Sequence, residues 1–245
     1  PYTLFSSNIV ALSPPKWAEV GVTNRWKPFD RSISSQVANP GSISYRLRLG
    51  RAVTAASALN LRGVLTVRLR LIDPSFGTVY DRTVDLAPKP VGSGWWLWFF
   101  GERVQPTQLL LQDLPSYPGA DLVMDFTGTA ELAVGVILVG QMRSFGVGVK
   151  AGGRLGISDY SRKERNQWGD LSFQERAYSR RATCSLLLPW REVDALHQFL
   201  SDVRATPCLW RTSRRHEAGT VYGIYKSFEI LLPYTNYADC EIELE

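Results

Sequence analysis

The sequence predicts a mainly β protein in two parts, a front β-sandwich or jelly roll over residues 1–145 and a smaller α+β unit over 146–245. Three observations predict this. Short segments of alternating apolar and polar residues recur through the front part, each broken by Gly or Pro. Five glycines (146, 148, 152, 153 and 156) then loosen the chain. Beyond them, one segment alone has helical periodicity.

In the front part, Gly41–Leu49 sets Ile43, Tyr45, Leu47 and Leu49 against Ser42, Ser44, Arg46 and Arg48. That period of two is the pattern of a half-buried strand. Val64–Leu71 repeats it, with Leu65, Val67, Leu69 and Leu71 expected inward. Thr78–Leu86, Trp95–Phe100, Leu122–Phe126 and Glu131–Val139 are further expected strands. Asp73-Pro74, Pro88–Gly94 and Pro115–Gly119 separate them as turns and loops. Many short strands without a helical period point to two packed sheets.

The second part opens on Asp159–Arg181, DYSRKERNQWGDLSFQERAYSRR, which is nearly a charge palindrome. Folded at Gly169-Asp170, it pairs residues whose numbers sum to 340, so Glu164 faces Arg176 and Arg165 faces Glu175. Opposite charges across an antiparallel pair stabilise one register, and a slip by one residue sets like charges together. Tyr160, Arg162 and Glu164 alternate with Ser161, Lys163 and Arg165, so both faces read as polar. A ribbon without an apolar face has nothing to bury against its own core. It is expected to be an arm for a neighbouring chain, with Tyr160, Arg162, Glu164, Arg165, Glu175, Arg176, Tyr178 and Arg180 at the contact.

An apolar run, Cys184–Leu188, leads into a predicted helix over 189–204. Pro189 suits its first position, Glu192 and Asp194 complement the N-terminal dipole, and Arg204 the C-terminal one. Val193, Leu196, Phe199, Leu200 and Val203 form the stripe that would dock on a sheet. Val221–Leu232 and Cys240–Leu244 complete the unit as strands.

Composition narrows the function classes. With 44% hydrophobic and 11% aromatic residues the chain can build real cores. Its longest apolar run, Leu132–Val139, falls well short of the ~18 residues of a membrane span. The start Pro-Tyr-Thr has no charged-then-apolar leader, which leads us to expect cytoplasmic synthesis. Three cysteines at wide spacing favour buried free thiols over a disulfide framework or a zinc site. The net charge of +5 is matched by nine basic and four acidic residues in Arg143–Arg181. Those signs alternate, so an interface is favoured over specific nucleic-acid recognition.

Catalytic chemistry finds little support. His197 falls near the polar side of the helix, and His216 sits in the basic loop Arg211–Glu217 with no nucleophile motif beside it. Gly146–Ala151 matches GxGxxA, but no helix follows it, so a connector is expected rather than a dinucleotide site. Neither enzyme activity nor a cofactor or metal is expected. A glycoside hydrolase would require two carboxylates across a cleft, which no motif indicates. Aromatic residues cluster at Trp17, Trp26 and Phe29, and again at Trp95, Trp96, Trp98, Phe99 and Phe100. One face of the second cluster is expected to fill the core while the other meets a loop or partner. Trp26, Trp96 and Trp98 are the candidate glycan contacts.

The segment WAEVGVTNRWKPFD, the DYSRKE…GD…F…ERAYSRR hairpin and the closing YGIYKSFEILLPY together resemble tail-tip or baseplate proteins of tailed bacteriophages. Such proteins are often described as phage tail proteins or as carbohydrate-binding. The front part also resembles galactose-binding-like jelly rolls, and the back part is similar to tube-type domains that form rings around the tail channel. The resemblance implies a virion protein that oligomerises with itself, contacts other tail or baseplate proteins, and in an alternative reading binds a host surface glycan. It implies no catalytic residue.

Overall fold

The structure is a computed structural model that describes residues 9–12, 16–19, 23–92, 94–165, 168–176, 178–213, 216–233 and 236–245. The protein is mainly β, with several antiparallel sheets. The chain divides into two compact units, Pro1–Met142 and Arg143–Glu245, so the division falls just ahead of the expected break after residue 145.

The first unit begins with a hairpin of β1 (Ile9–Leu12) and β2 (Lys16–Glu19), then a 3-10 turn, Asn24–Phe29. β3 (Val37–Ala38), β4 (Ser42–Arg48), β5 (Ala55–Leu59), β6 (Arg62–Asp73) and β7 (Gly77–Asp85) follow. Next comes a small ladder of β8 (Lys89–Pro90) with β9 (Arg103–Val104), which brackets the helix α1 (Trp95–Phe100). β10 (Gln108–Leu111), β11 (Asp121–Val134) and β12 (Ile137–Gly140) complete the unit.

One sheet joins β3 and β4 to β11, then β6 and β7; the other has the order β10-β5-β12. They form a sandwich because each contributes its apolar parity to one shared core. Ile43, Tyr45, Val67, Leu69, Leu71, Leu122, Met124 and Phe126 come from the larger sheet, and Ala56, Ala58, Leu109, Leu111 and Ile137 from the smaller. The opposite parity of the larger sheet is polar and ion-paired. Arg46 reaches Asp121 at 2.7 Å, Arg70 reaches Asp125 at 2.6 Å, and Arg68 reaches Asp81 at 2.6 Å. The Arg46 guanidinium beside Asp121 holds that carboxyl below the usual carboxylate range.

Two expectations are corrected here. Leu65 is not inward, because a register shift at Gly128 inserts a bulge and hands the buried position to Val64. Trp95–Phe100 is a helix rather than a strand, and none of its side chains fills the core. Six successive bulky apolar residues have no period of two, so nothing in their pattern selects a pleat.

The second unit contains β13 (Gly148–Val149), β14 (Arg154–Asp159), β15 (Arg162–Arg165), β16 (Leu171–Gln174) and β17 (Tyr178–Pro189). The helix α2 (Trp190–Asp202) follows, then β18 (Cys208–Arg211), β19 (Thr220–Gly223), β20 (Tyr225–Leu231) and β21 (Tyr237–Leu244). β17 pairs with β21, and β21 with β20, while β13 and β14 both pair with the other edge of β17. The helix is near its expected bounds, with Pro189 capping rather than occupying its first position. Leu196 and Leu200 are buried over Ala182, Leu188, Ala238, Cys240, Ile242 and Leu244, with Val193 and Phe199 at the margin. The carboxylate of Glu192 in the first turn accepts the Gly146 backbone N–H at 2.8 Å, tying the glycine-rich connector to the helix.

Candidate functional site

The register of β14 against β17 follows from parity. β14 pairs with β17 so that Leu155 faces Ala182, Ile157 faces Arg180 and Asp159 faces Tyr178, with numbers summing to 337. An odd sum keeps Leu155 and Ile157 on the same face as Ala182 and Cys184, the face that is buried nearer the helix. The palindromic sum of 340 is even and would turn both residues onto the face of Thr183 and Ser185. Parity separates the registers only between β14 and β17; β15 pairs with β16 at numbers summing to 336, even like 340, and there exposed ion pairs, worth ~0–1 kcal/mol each, do not hold the palindromic pairing.

Farther out, Arg162 faces Gln174, Lys163 faces Phe173, Glu164 faces Ser172 and Arg165 faces Leu171. The palindrome is therefore not realised: Glu164 does not face Arg176, and Arg165 does not face Glu175. The charges pair with near neighbours in the chain instead, within β15 and from β15 back to the end of β14. Arg162 meets Glu164 at 2.5 Å, and Lys163 meets Asp159 at 2.9 Å. Asp159 also accepts the Ser161 backbone N–H at 2.9 Å. Bonding from Ser161 and then Lys163 holds the Asp159 carboxyl far below the usual range.

The remaining arm residues are placed as follows. The Tyr160 hydroxyl donates to Glu245 at 2.9 Å and lies 3.2 Å from Ser179 Oγ. Arg176 donates its backbone N–H to Ser161 Oγ at 3.1 Å and its guanidinium to Gln174 at 3.4 Å. Tyr178 is exposed, while Arg180 is half-buried and donates to the Thr220 carbonyl at 3.4 Å. Arg180 is thus fastened to its own unit.

The expectation of two polar faces also fails. Leu155, Ile157, Trp168, Leu171, Phe173 and Tyr178 are all exposed on the arm, with Ile157 at 62% and Phe173 at 68%. A signal was present, since Leu171 and Phe173 alternate with Ser172 and Gln174. The charge pattern concealed it.

The three candidate glycan contacts fall in different settings. Trp26 is half-buried in the 3-10 turn, tilted against Phe29 at 6.1 Å with the Arg25 guanidinium 5.7 Å from its ring centre. Trp96 and Trp98 lie on α1, exposed at 60% and 56%. Their neighbours on that helix are Trp95, Leu97, Phe99 and Phe100, all exposed as well. Among the described residues no ring contact joins Trp26 to the α1 residues, whose rings meet one another instead.

His197 packs its ring edge-on to Phe228 at 5.8 Å, and His216 is exposed just before a 3-10 turn. Part of the basic loop around His216, residues 214 and 215, lies outside the described residues. Among the described residues, no group of three or more His, Cys, Asp and Glu side chains is arranged to hold a metal, and no helix is long and apolar enough to cross a membrane. The thiols of Cys184 and Cys240 are buried and that of Cys208 is half-buried. Burial, with Cys184 nearby, pushes the Cys240 thiol up to about 11.

A scan against protein-family models finds no match, and a search of curated proteins finds none.

Proposed function

We propose that the chain is a structural, non-catalytic virion protein of a tailed-phage tail tip or baseplate. In this reading it assembles in the host cytoplasm, oligomerises about the tail axis, and links the tail tube to hub or receptor-binding components. The sequence resemblance supplies the setting. The observation that supports an assembly role is the arm of β14, β15 and β16, which carries Leu155, Ile157, Leu171 and Phe173 into solvent. Apolar side chains on a ribbon beyond its own core gain burial only when another surface covers them. The surrounding Arg162, Glu164, Arg165, Glu175 and Arg176 then orient the partner through charge complementarity.

Sedimentation velocity across a concentration series tests this with the full chain and an Ile157→Ser/Phe173→Ser variant. The expected result is concentration-dependent assembly of the wild type and a folded monomer for the variant. Assembly unaffected by the variant, or an electron-microscopy map of the intact tail tip with the arm in solvent, would overturn it.

The second reading is adhesion to a host surface glycan, favoured by the exposure of Trp96 and Trp98. Glycan-array binding that vanishes in Trp96→Ala and Trp98→Ala supports it. Silence across host-derived polysaccharides refutes it.

A further inference from the structure

We propose that α1 and its two-stranded base form an interfacial membrane anchor, whose ligand is the headgroup and upper acyl region of an anionic lipid bilayer. This goes beyond the virion reading and does not depend on it.

The helix Trp-Trp-Leu-Trp-Phe-Phe has no polar side chain. Successive residues step by about 100° around a helix axis, so these six are apolar at every azimuth. All six are exposed: Trp95 at 72%, Leu97 at 40%, Phe99 at 64% and Phe100 at 67%, besides Trp96 and Trp98. With roughly 150–250 Å² per ring, the five aromatics alone present on the order of 700 Å², beyond the largest patch of an ordinary monomer. A groove on a protein covers one side of a helix and leaves the other wet. A bilayer interface surrounds it.

Three further features favour lipid. Half of the helix is Trp, whose indole combines an apolar body with an N–H that suits headgroup depth. Helical hydrogen bonds close both ends of the segment, from Trp98 N–H to the Gly94 carbonyl at 3.0 Å and from Gly101 N–H to the Leu97 carbonyl at 2.9 Å, which lowers the number of open backbone groups carried toward the lipid. Six residues span roughly 9 Å, comparable to the ~5–10 Å depth of interfacial insertion.

The base carries both signs. Lys89 and Arg103 are exposed on β8 and β9, with Val91 and Val104 exposed beside them. Lys89 lies 4.0 Å from Asp85 and Arg103 follows Glu102, so each cation stands beside an acid and the base is charge-balanced. Both cations are exposed at the root of the apolar tip, where headgroup phosphates would lie.

The test is flotation of the full chain with phosphatidylcholine vesicles, with and without phosphatidylglycerol, together with quenching of Trp fluorescence by brominated lipid. The wild type is expected to float with the anionic vesicles and to be quenched. Trp96→Ser/Trp98→Ser/Phe99→Ser is expected to lower vesicle affinity at least about tenfold with circular dichroism unchanged. Lys89→Gln and Arg103→Gln should each lower it about fivefold on the anionic vesicles only. Absence of flotation overturns the proposal, as does equal binding by the triple variant. Self-association, or capture by a tail protein, that the triple variant abolishes in the absence of vesicle binding would assign α1 to a protein interface and overturn it too.

Discussion

Gly63 and Gly128 meet back to back where β6 and β11 change register, so closely that a Cβ on Gly128 would run into the Gly63 carbonyl. Gly63 also has φ +63°, and a Cβ there would lie 2.6 Å from Thr129 Oγ1. Gly128→Ala is therefore expected to destabilise the first unit by about 1–3 kcal/mol through overpacking. Urea unfolding measures it, and a change under ~0.5 kcal/mol would show that the bulge yields.

The Asp159 staple gives the arm a pH dependence. Its carboxyl is held far below its unfolded value of ~3.9 by Ser161 and Lys163. A depressed carboxylate contributes stability above the unfolded value and loses it as pH falls through the folded one. The local structure of the arm should thus persist at neutral pH and loosen only in strong acid. An NMR titration of the Asp159 carboxyl reads this, and Ser161→Ala should raise the midpoint. A midpoint near ~4 in the wild type would contradict the staple.

The observed register makes a cross-linking prediction. Glu164→Cys with Ser172→Cys places two thiols directly across the ladder, within reach of a disulfide. Glu164→Cys with Arg176→Cys should not close. Mass spectrometry after mild oxidation separates the two, and the reverse outcome would restore the palindromic pairing.

Core and arm should respond oppositely to truncation. Leu69 is fully buried, so Leu69→Ala should cost about 2–5 kcal/mol. Ile157 is exposed, so Ile157→Ala should change monomer stability by no more than about 0.5 kcal/mol. A large loss at Ile157 in the dilute monomer would mean that the arm folds back on its own unit.

The buried thiols predict an alkaline limit. Burial raises Cys240 to about 11, above the ~8.5 of an unfolded thiol. A raised thiol stabilises fully below the unfolded value, and that contribution is lost as pH rises through the folded one. Urea midpoints should therefore fall between about pH 8.5 and pH 11, less steeply in Cys240→Ala. Ellman's reagent should label Cys184 and Cys240 at neutral pH only after unfolding, and fast labelling of the native chain would contradict their burial.

Much of the fold was legible wherever one parity of a strand is buried. Ile43 and Tyr45, and Leu69 with Leu71, point where alternation placed them, and the expected strand Leu122–Phe126 lies within β11. Strands Ala55–Leu59 and Gln108–Leu111 escaped notice because their small or uniformly apolar residues lack a contrast in polarity. Leu65 was misplaced by a bulge, which depends on Gly128 in a distant strand. At the candidate sites, the arm was legible as an arm but its register and its exposed Leu171 and Phe173 were not. The segment Trp95–Phe100 was legible as aromatic and misread as a strand with one face in the core.

The sequence by itself determined the mainly β character and the helix α2, since both follow from local periodicity and capping. Tertiary structure alone decided the arm's pairing and the exposure of α1. Which face of β17 meets the core sets its pairing with β14, while between β15 and β16 the weak surface charges do not impose their palindromic register. Whether an apolar run lies inside depends on what the rest of the chain brings to cover it. For Trp95–Phe100 the first unit leaves all six side chains exposed.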